Sequence, residues 1–196
     1  AQGCALLEPE RIKRVSGALL AGQTVRYWSA WPVAGEAPAG VERAGTPEAA
    51  DFALTLTPEG GALHLVPPIG VLGVGCRRGT TAERLEEAFS AFCASSGLSP
   101  AAVSAAASID LKKEEPGLAQ FCEAHGWPIT FYSADQLRAV PGQFTPSAFV
   151  AGVTGVDNVC ERAAAKASGG ALLLPKTAGG GVTLALAVRP FAPDWR

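Results

Sequence analysis

Four short stretches of this chain combine glycines, cations and carboxylates at spacings suited to an anionic ligand. The first is Gly73-Val-Gly-Cys-Arg-Arg-Gly79-Thr80-Thr81. It joins an apolar run to a helix-forming run. Gly73, Gly75 and Gly79 let main-chain N–H groups approach an anion, and a helix starting at Thr80 favours negative charge there. Arg77 and Arg78 add donors that pair with carboxylate or phosphate. The spacing G-x-G-x-x-x-G is one residue longer than the dinucleotide fingerprint, and it lacks the Gly-Lys-Ser/Thr ending of a P-loop. A purely structural strand–helix turn fits the same residues equally well.

The second stretch is Ser108-Ile-Asp110-Leu-Lys112-Lys-Glu-Glu115-Pro-Gly-Leu118. It follows a strand, so it belongs at the strand's C-terminal end, where ligands of open α/β sheets sit. A solvated loop, with Glu114 and Glu115 favouring the next helix N-terminus, is the plainer reading. The third runs from Thr145-Pro-Ser-Ala-Phe-Val to Thr154-Gly155-Val-Asp-Asn-Val-Cys-Glu161. Thr154 and Gly155 open a helix, and Glu161 two turns in is either a general base or a structural ion-pair partner. The fourth is Leu172-Leu-Leu-Pro-Lys176-Thr177, where Lys176 lies just beyond a buried strand and is aimed at the same rim. It binds an anion or marks the strand end. Cys76 and Cys160 lie near these motifs, but neither histidine has a context suggesting a Cys–His pair, so both read as small packed residues.

The elements that position these motifs change character at Pro67-Pro68. Before it, apolar spacing predicts a helix over 8–21, stopped by Gly22, and a strand over 23–28. Residues 31–47 read as a Pro- and Gly-rich loop. Alternation over 52–57 and 62–66, with Pro58-Glu-Gly-Gly61 between, predicts a β-hairpin. After the boundary, strands (69–74, 102–108, 128–132) alternate with helices (80–96, 116–126, 133–139, 156–168). Two strands (172–175, 182–188) follow, joined at Gly179-Gly-Gly181. Capping boxes are expected at Thr80/Glu83 and Thr154/Asp157. The expected class is α/β: a layered sheet with helices on both faces over 69–196, preceded by a small α+β region over 1–68.

Composition excludes several alternatives. The 196 residues are 48% hydrophobic and carry a net charge of -2, which rules out disorder as the main state. Sixteen basic residues face eighteen acidic ones, which argues against binding of nucleic acid through bulk charge, and Trp28, Trp31, Trp127 and Trp195 lack the basic interleaving of a stacking surface. No apolar run approaches the roughly 20 residues of a membrane span. Five cysteines, an odd number with no C-x-x-C pair, argue against a disulfide framework or zinc ribbon and for free thiols in the cytoplasm. Two histidines argue against a histidine-built metal site. The absence of Met and the start Ala-Gln-Gly-Cys read as a processed or truncated product.

In this order, G-V-G-C-R-R-G-T, S-I-D-L-K-K-E-E-P-G-L, T-G-V-D-N-V-C-E-R-A-A and L-L-L-P-K-T resemble the C-terminal domain of the CbiG family of cobalamin biosynthesis, over about residues 69–189. Leu19-Leu-Ala-Gly-Gln-Thr-Val25, Trp31-Pro-Val-Ala-Gly35 and Ala50-Asp51 are similar to that family's central region. The family's N-terminal domain is not represented, which favours truncation over secretion. CobE, a relative, resembles the C-terminal domain alone, so the central region favours CbiG.

The resemblance implies a cobalt-precorrin-5A hydrolase that opens a δ-lactone and releases a two-carbon fragment as acetaldehyde. Its substrate is an anionic cobalt corrinoid, so cobalt enters with the substrate and the protein needs no cofactor or metal ligand of its own. Substrate carboxylates would meet Gly73, Gly75, Arg77, Gly79, Thr80, Asp110, Lys112, Thr154, Gly155 and Lys176, with Glu161 as first and Glu115 as second candidate for the catalytic base. The family's N-terminal domain is the implied partner, a homodimer is left open, and neither nucleic acid nor membrane is expected. The rivals are a non-catalytic CobE-like module that binds or carries a corrin intermediate, and a purely structural domain. Arg77, Lys112 and Lys176 gathered in one cleft favour ligand binding; scattered over separate faces, they favour the structural reading.

Overall fold

The computed structural model describes residues 3–146 and 156–195. Its contacts divide into two units. One holds the chain up to Pro68, together with Gly97–Ala102 and the stretch from Phe191 onward; the other holds Ile69–Ser96 and Val103–Pro190. A second domain running unbroken over 69–196 is therefore corrected: two later segments cluster with the first unit.

In the first unit the chain runs through β1 (Ala5–Leu6), a 3-10 turn at Pro9–Arg11, α1 (Ile12–Leu20), β2 (Val25–Ser29), β3 (Val41–Arg43), β4 (Phe52–Leu54) and β5 (Leu63–Val66). Helix α1 ends where Gly22 takes φ 71° and the Gln23 amide reaches back to the Ala18 carbonyl at 2.9 Å, a turn that a side chain at Gly22 would strain. The strand order is β1-β5-β4-β2-β3. β3 lies within 31–47, where a loop was expected, and a 3-10 turn follows at Pro47–Ala49.

The expected hairpin does not form. β4 and β5 are neighbours but parallel, with Ala53 opposite His64. Alternation marks both strands and is blind to direction, and the residues 55–62 carry the chain back to the same end of the sheet. Buried His64 anchors that path: its ring meets the Glu59 carbonyl at 2.9 Å and Glu8 Oε1 at 2.8 Å, and its amide donates to Glu8 Oε2 at 2.9 Å.

The second unit contains β6 (Gly70–Cys76), α2 (Ala82–Ser96), β7 (Val103–Ile109), α3 (Pro116–Ala124), β8 (Ile129–Tyr132), α4 (Ala134–Arg138), α5 (Val159–Ser168), β9 (Leu172–Gly179) and β10 (Val182–Val188). The sheet order is β8-β7-β6-β10-β9. β6, β7 and β8 are parallel; β10 runs antiparallel to β6, and β9 antiparallel to β10. This α/β sheet has helices on both faces. α5 lies across β6, β7 and β10, and Val159 and Ala163 share a core with Val71, Ala105, Ala107 and Ile109. On the other face α2 packs on β10 and α3, burying Leu85, Phe89, Leu118 and Phe121. Burial of each such side chain contributes about 1.5–3 kcal/mol.

Three local expectations are corrected. Helix α2 is capped by Thr81, whose Oγ1 accepts the Arg84 amide at 3.3 Å, while Thr80 Oγ1 donates instead to the Arg77 carbonyl at 2.8 Å. Helix α5 is capped by Asn158, whose Oδ1 accepts the Glu161 amide at 2.9 Å; Thr154 of the expected box lies outside the described residues. β9 is a half-exposed edge strand that extends past Lys176, so Lys176 lies within it and not beyond a buried strand. Among the described residues no helix is long and apolar enough to cross a membrane.

Candidate functional site

β6 and β7 run parallel, so the segments that follow them emerge at one end of the sheet. β6 delivers Gly75, Cys76, Arg77 and Arg78; β7 delivers Ile109 and, through a 3-10 turn at Asp110–Lys112, the Lys112 side chain. The α5 N-terminus brings Asp157, Asn158, Val159 and Cys160, and β9 and β10 bring Lys176, Gly181 and Thr183. These residues line a cleft of about 490 Å³, within the range of small-molecule sites.

The cleft is cationic. Arg77, Arg78, Lys112 and Lys176 line it, against one carboxylate, Asp157, whose Oδ1 already accepts Arg162 Nε at 3.0 Å. Arg77 and Arg78 are exposed, and Arg77 lies along the Gly180-Gly181 turn, where a Cβ on Gly181 would come 2.9 Å from Arg77 Cδ. Lys112 is half-buried, and its Nζ meets Glu115 Oε1 at 3.2 Å. Lys176 Nζ donates to the Thr145 carbonyl at 3.1 Å. Ser108 ties the strand ends together, its Oγ donating to the Val74 carbonyl at 2.7 Å.

Arg77, Lys112, Lys176 and Gly75, all expected to bind, come together in this cleft. Gly73 does not line it: Gly73 lies beneath α5 and makes the helix–sheet contact. Gly79 adopts φ 74° in the turn, and its amide donates to Glu115 Oε2 at 2.8 Å. Thr80 is occupied by the Arg77 carbonyl. Asp110 is exposed on the 3-10 turn outside the cleft lining. Thr154 and Gly155 lie outside the described residues.

The two carboxylates proposed as base candidates hold the site from behind, and neither lines the cleft. Glu161 is fully buried. Its Oε2 accepts the Thr145 amide at 2.8 Å and Asn158 Nδ2 at 2.7 Å, and its Oε1 accepts Thr145 Oγ1 at 3.0 Å and the Lys176 amide at 2.6 Å. Four protein donors occupy the acceptor positions that a base would need for water. Glu115 is also buried; the Gly79 amide, then Lys112 and Arg78, hold its carboxyl below the usual glutamate value. Two thiols reach the cleft. Burial pushes Cys76 up against the opposing effect of Lys112, and Cys160 is pushed up to about 11, again chiefly by burial. Neither is poised as a thiolate nucleophile at neutral pH.

Residues 70–187, which contain this whole arrangement, match the family described as cobalamin synthesis G C-terminus. The chain belongs to that family. It is 36% identical over 134 residues to a cobalt-precorrin-5A hydrolase of Priestia megaterium, a match covering 68% of this chain and 35% of the relative. It thus spans about a third of the length of that curated hydrolase. The crystal structure of CobE, a protein from the cobalamin biosynthetic pathway, superimposes with TM-score 0.56 at 35% identity, covering 63% of this chain and 92% of that one. A putative cobalamin biosynthesis protein G homolog from Sulfolobus solfataricus shares the fold over 95% of this chain and 57% of its own, with TM-score 0.52 at 17% identity.

Within this cobalamin synthesis G domain, three residues to which the sequence assigned no role complete the site. Asn158 is both the α5 cap and a Glu161 donor, Thr145 gives Glu161 two donors, and Thr183 Oγ1 closes on the Gly75 carbonyl at 3.3 Å. An Asn three residues before a helical Glu was a readable cap signal. Thr145 and Thr183 carried no local signal, because their partners are distant in sequence.

Proposed function

We propose that this chain acts in cobalamin biosynthesis by holding the acidic side chains of a cobalt-precorrin-5A-type macrocycle while its δ-lactone is opened by water and the two-carbon fragment leaves as acetaldehyde. The observation that carries this reading is the convergence of Arg77, Arg78, Lys112 and Lys176 on one cleft at the C-terminal ends of parallel strands. A corrin precursor carries many carboxylates, and four cations, of which Lys112 is paired with Glu115, against one cleft carboxylate already paired with Arg162 suit it. Cobalt belongs to the substrate in this reading, and the chain supplies no ligand to it.

The reaction needs an activated water, donors for the oxyanion that develops on the lactone carbonyl, and a base for the freed hydroxyl. The cleft cations and the amides along Gly75–Arg78 are suitable donors. Glu161 and Glu115 support the site by fixing Lys176 and Lys112, so we place the base elsewhere, within the cleft or in a further part of the hydrolase. Two observations favour a second reading, a CobE-like module that binds or carries the corrin intermediate. The CobE likeness covers nearly all of that protein, and neither buried carboxylate faces the cleft.

The deciding experiment is acetaldehyde release from the cobalt lactone substrate under anoxic conditions, with this 196-residue chain alone and a denatured control. Release above the control is expected if the chemistry resides here. No release, with a full-length hydrolase active in parallel, overturns catalysis by this chain and leaves the binding module.

A further inference from the structure

β9 carries two extra residues opposite β10, one at each of two register shifts, and the first shift lies beside Lys176. Leu184 pairs with Thr177, but Leu186 pairs with Leu174, so Pro175 and Lys176 share a bulge. Pro175 has no N–H to lose there, and the edge position of β9 tolerates it. The bulge frees the Lys176 amide from the ladder, and that amide donates to Glu161 Oε1 at 2.6 Å. The same carboxylate holds Thr145 through amide and hydroxyl, and the Thr145 carbonyl accepts Lys176 Nζ at 3.1 Å. Lys176 is therefore held at its main chain by Glu161 and at its ammonium by a residue that Glu161 also holds.

We propose that Glu161 is a positioning residue that sets the Lys176 ammonium at the cleft rim, as an anchor for a carboxylate of a tetrapyrrole ligand. The inference rests on the reading of the cleft as a site for a carboxylate-rich macrocycle. It assigns Glu161 an action through Lys176, with no proton transfer to or from the substrate.

Glutamine at this position separates the roles. Its amide nitrogen would oppose two obligate donors on the Oε2 side, the Thr145 amide and Asn158 Nδ2. On the Oε1 side the Thr145 hydroxyl can turn and accept, so only the Lys176 amide is opposed. Glu161→Gln therefore keeps Thr145 and Asn158 and releases Lys176.

The test uses amide resonances of the labelled chain and binding of uroporphyrin, a carboxylate-rich tetrapyrrole. In the wild-type chain the Lys176 amide proton is expected far downfield, as a short bond to a carboxylate requires. In Glu161→Gln it moves upfield and exchanges faster, with smaller change at Thr145. Glu161→Gln and Lys176→Met are each expected to weaken uroporphyrin binding roughly tenfold, the loss of one charge-assisted contact, and the double variant binds no more weakly than either single one.

An ordinary wild-type Lys176 shift, undiminished affinity in Lys176→Met, or additive losses in the double variant overturn the proposal. The first two need no Glu161 variant, so they stand if that variant fails to fold. Wild-type chain that ignores uroporphyrin overturns the cleft reading instead, and the placement of Lys176 is then decided by its amide resonance, which needs no ligand.

Discussion

Gly73 lies directly beneath Cys160: a Cβ on Gly73 would sit 1.8 Å from the Cys160 carbonyl oxygen. The first turn of α5 thus rests on bare β6 backbone, and this contact places Asn158, Cys160 and Glu161 over the strand that delivers Gly75 and Arg77. Backbone cannot retreat as a flexible side chain can, so Gly73→Ala has to displace the helix. The expected loss of stability is about 2–4 kcal/mol by urea unfolding. Gly17→Ala is the contrast. Gly17 lies inside α1 with open space around it, and there alanine should stabilise by up to about 1 kcal/mol. Equal effects of the two substitutions would contradict the packing described.

Glu115 predicts an acid limb. Its folded-state pKa lies below the ordinary 4.5, held there first by the Gly79 amide and then by Lys112. A carboxyl depressed on folding adds stability that is fully present above the unfolded value and is lost as pH falls through the folded one. Glu115→Gln should therefore be less stable than wild type at neutral pH, and the gap should narrow below about pH 4.5. Thermal unfolding at stepped pH measures it; a gap that stays constant into acid would assign the loss to packing alone.

The five thiols should react in a definite order. Cys93, Cys122 and Cys160 are buried, with pKa values pushed up to about 11 chiefly by burial. Cys4 and Cys76 are half-buried and less strongly raised. Under native conditions at pH 8, iodoacetamide should modify Cys4 and Cys76 first, read by peptide mass spectrometry. Because Cys76 lines the cleft, bound uroporphyrin should slow it and leave Cys4 unchanged. Equal protection of both would point to a site other than the cleft.

Charge reversal tests the cleft as an anion site. Arg77→Glu and Arg78→Glu together should weaken uroporphyrin binding by about a hundredfold or more at low salt and flatten its dependence on ionic strength. Lys113→Glu, an exposed neighbour outside the cleft lining, should change it by less than about threefold. A similar loss in both variants would mean that overall net charge, not the cleft, governs binding.

Much of the second unit was legible from local pattern alone. β6 is nearly all apolar and bounded by glycines, and the apolar stripe Leu85, Phe89, Phe92 announces α2. Strands separated by helices favour parallel neighbours, and the parallel pair β6 and β7 carries the segments that follow it to one rim. Residue type and order therefore sufficed to put Arg77 and Lys112 at the same edge, since each is reached within a few residues of a strand end.

Tertiary structure decided what depends on partners distant in sequence. Strand direction in the first unit could not be read, because alternation is the same for parallel and antiparallel neighbours; β4 and β5 are parallel where a turn signal suggested reversal. Gly73 looks like an anion-binding glycine until α5 is laid on it, and only the fold converts it into a packing contact. By type and position Glu161 reads either as a base or as a structural ion-pair partner. Its surroundings are set by Thr145 and Lys176, sixteen residues before it and fifteen after it, and the Lys176 amide is free to reach its carboxylate because β9 bulges at Pro175. A carboxylate's chemistry depends on which donors surround it, and those donors are assembled by the fold.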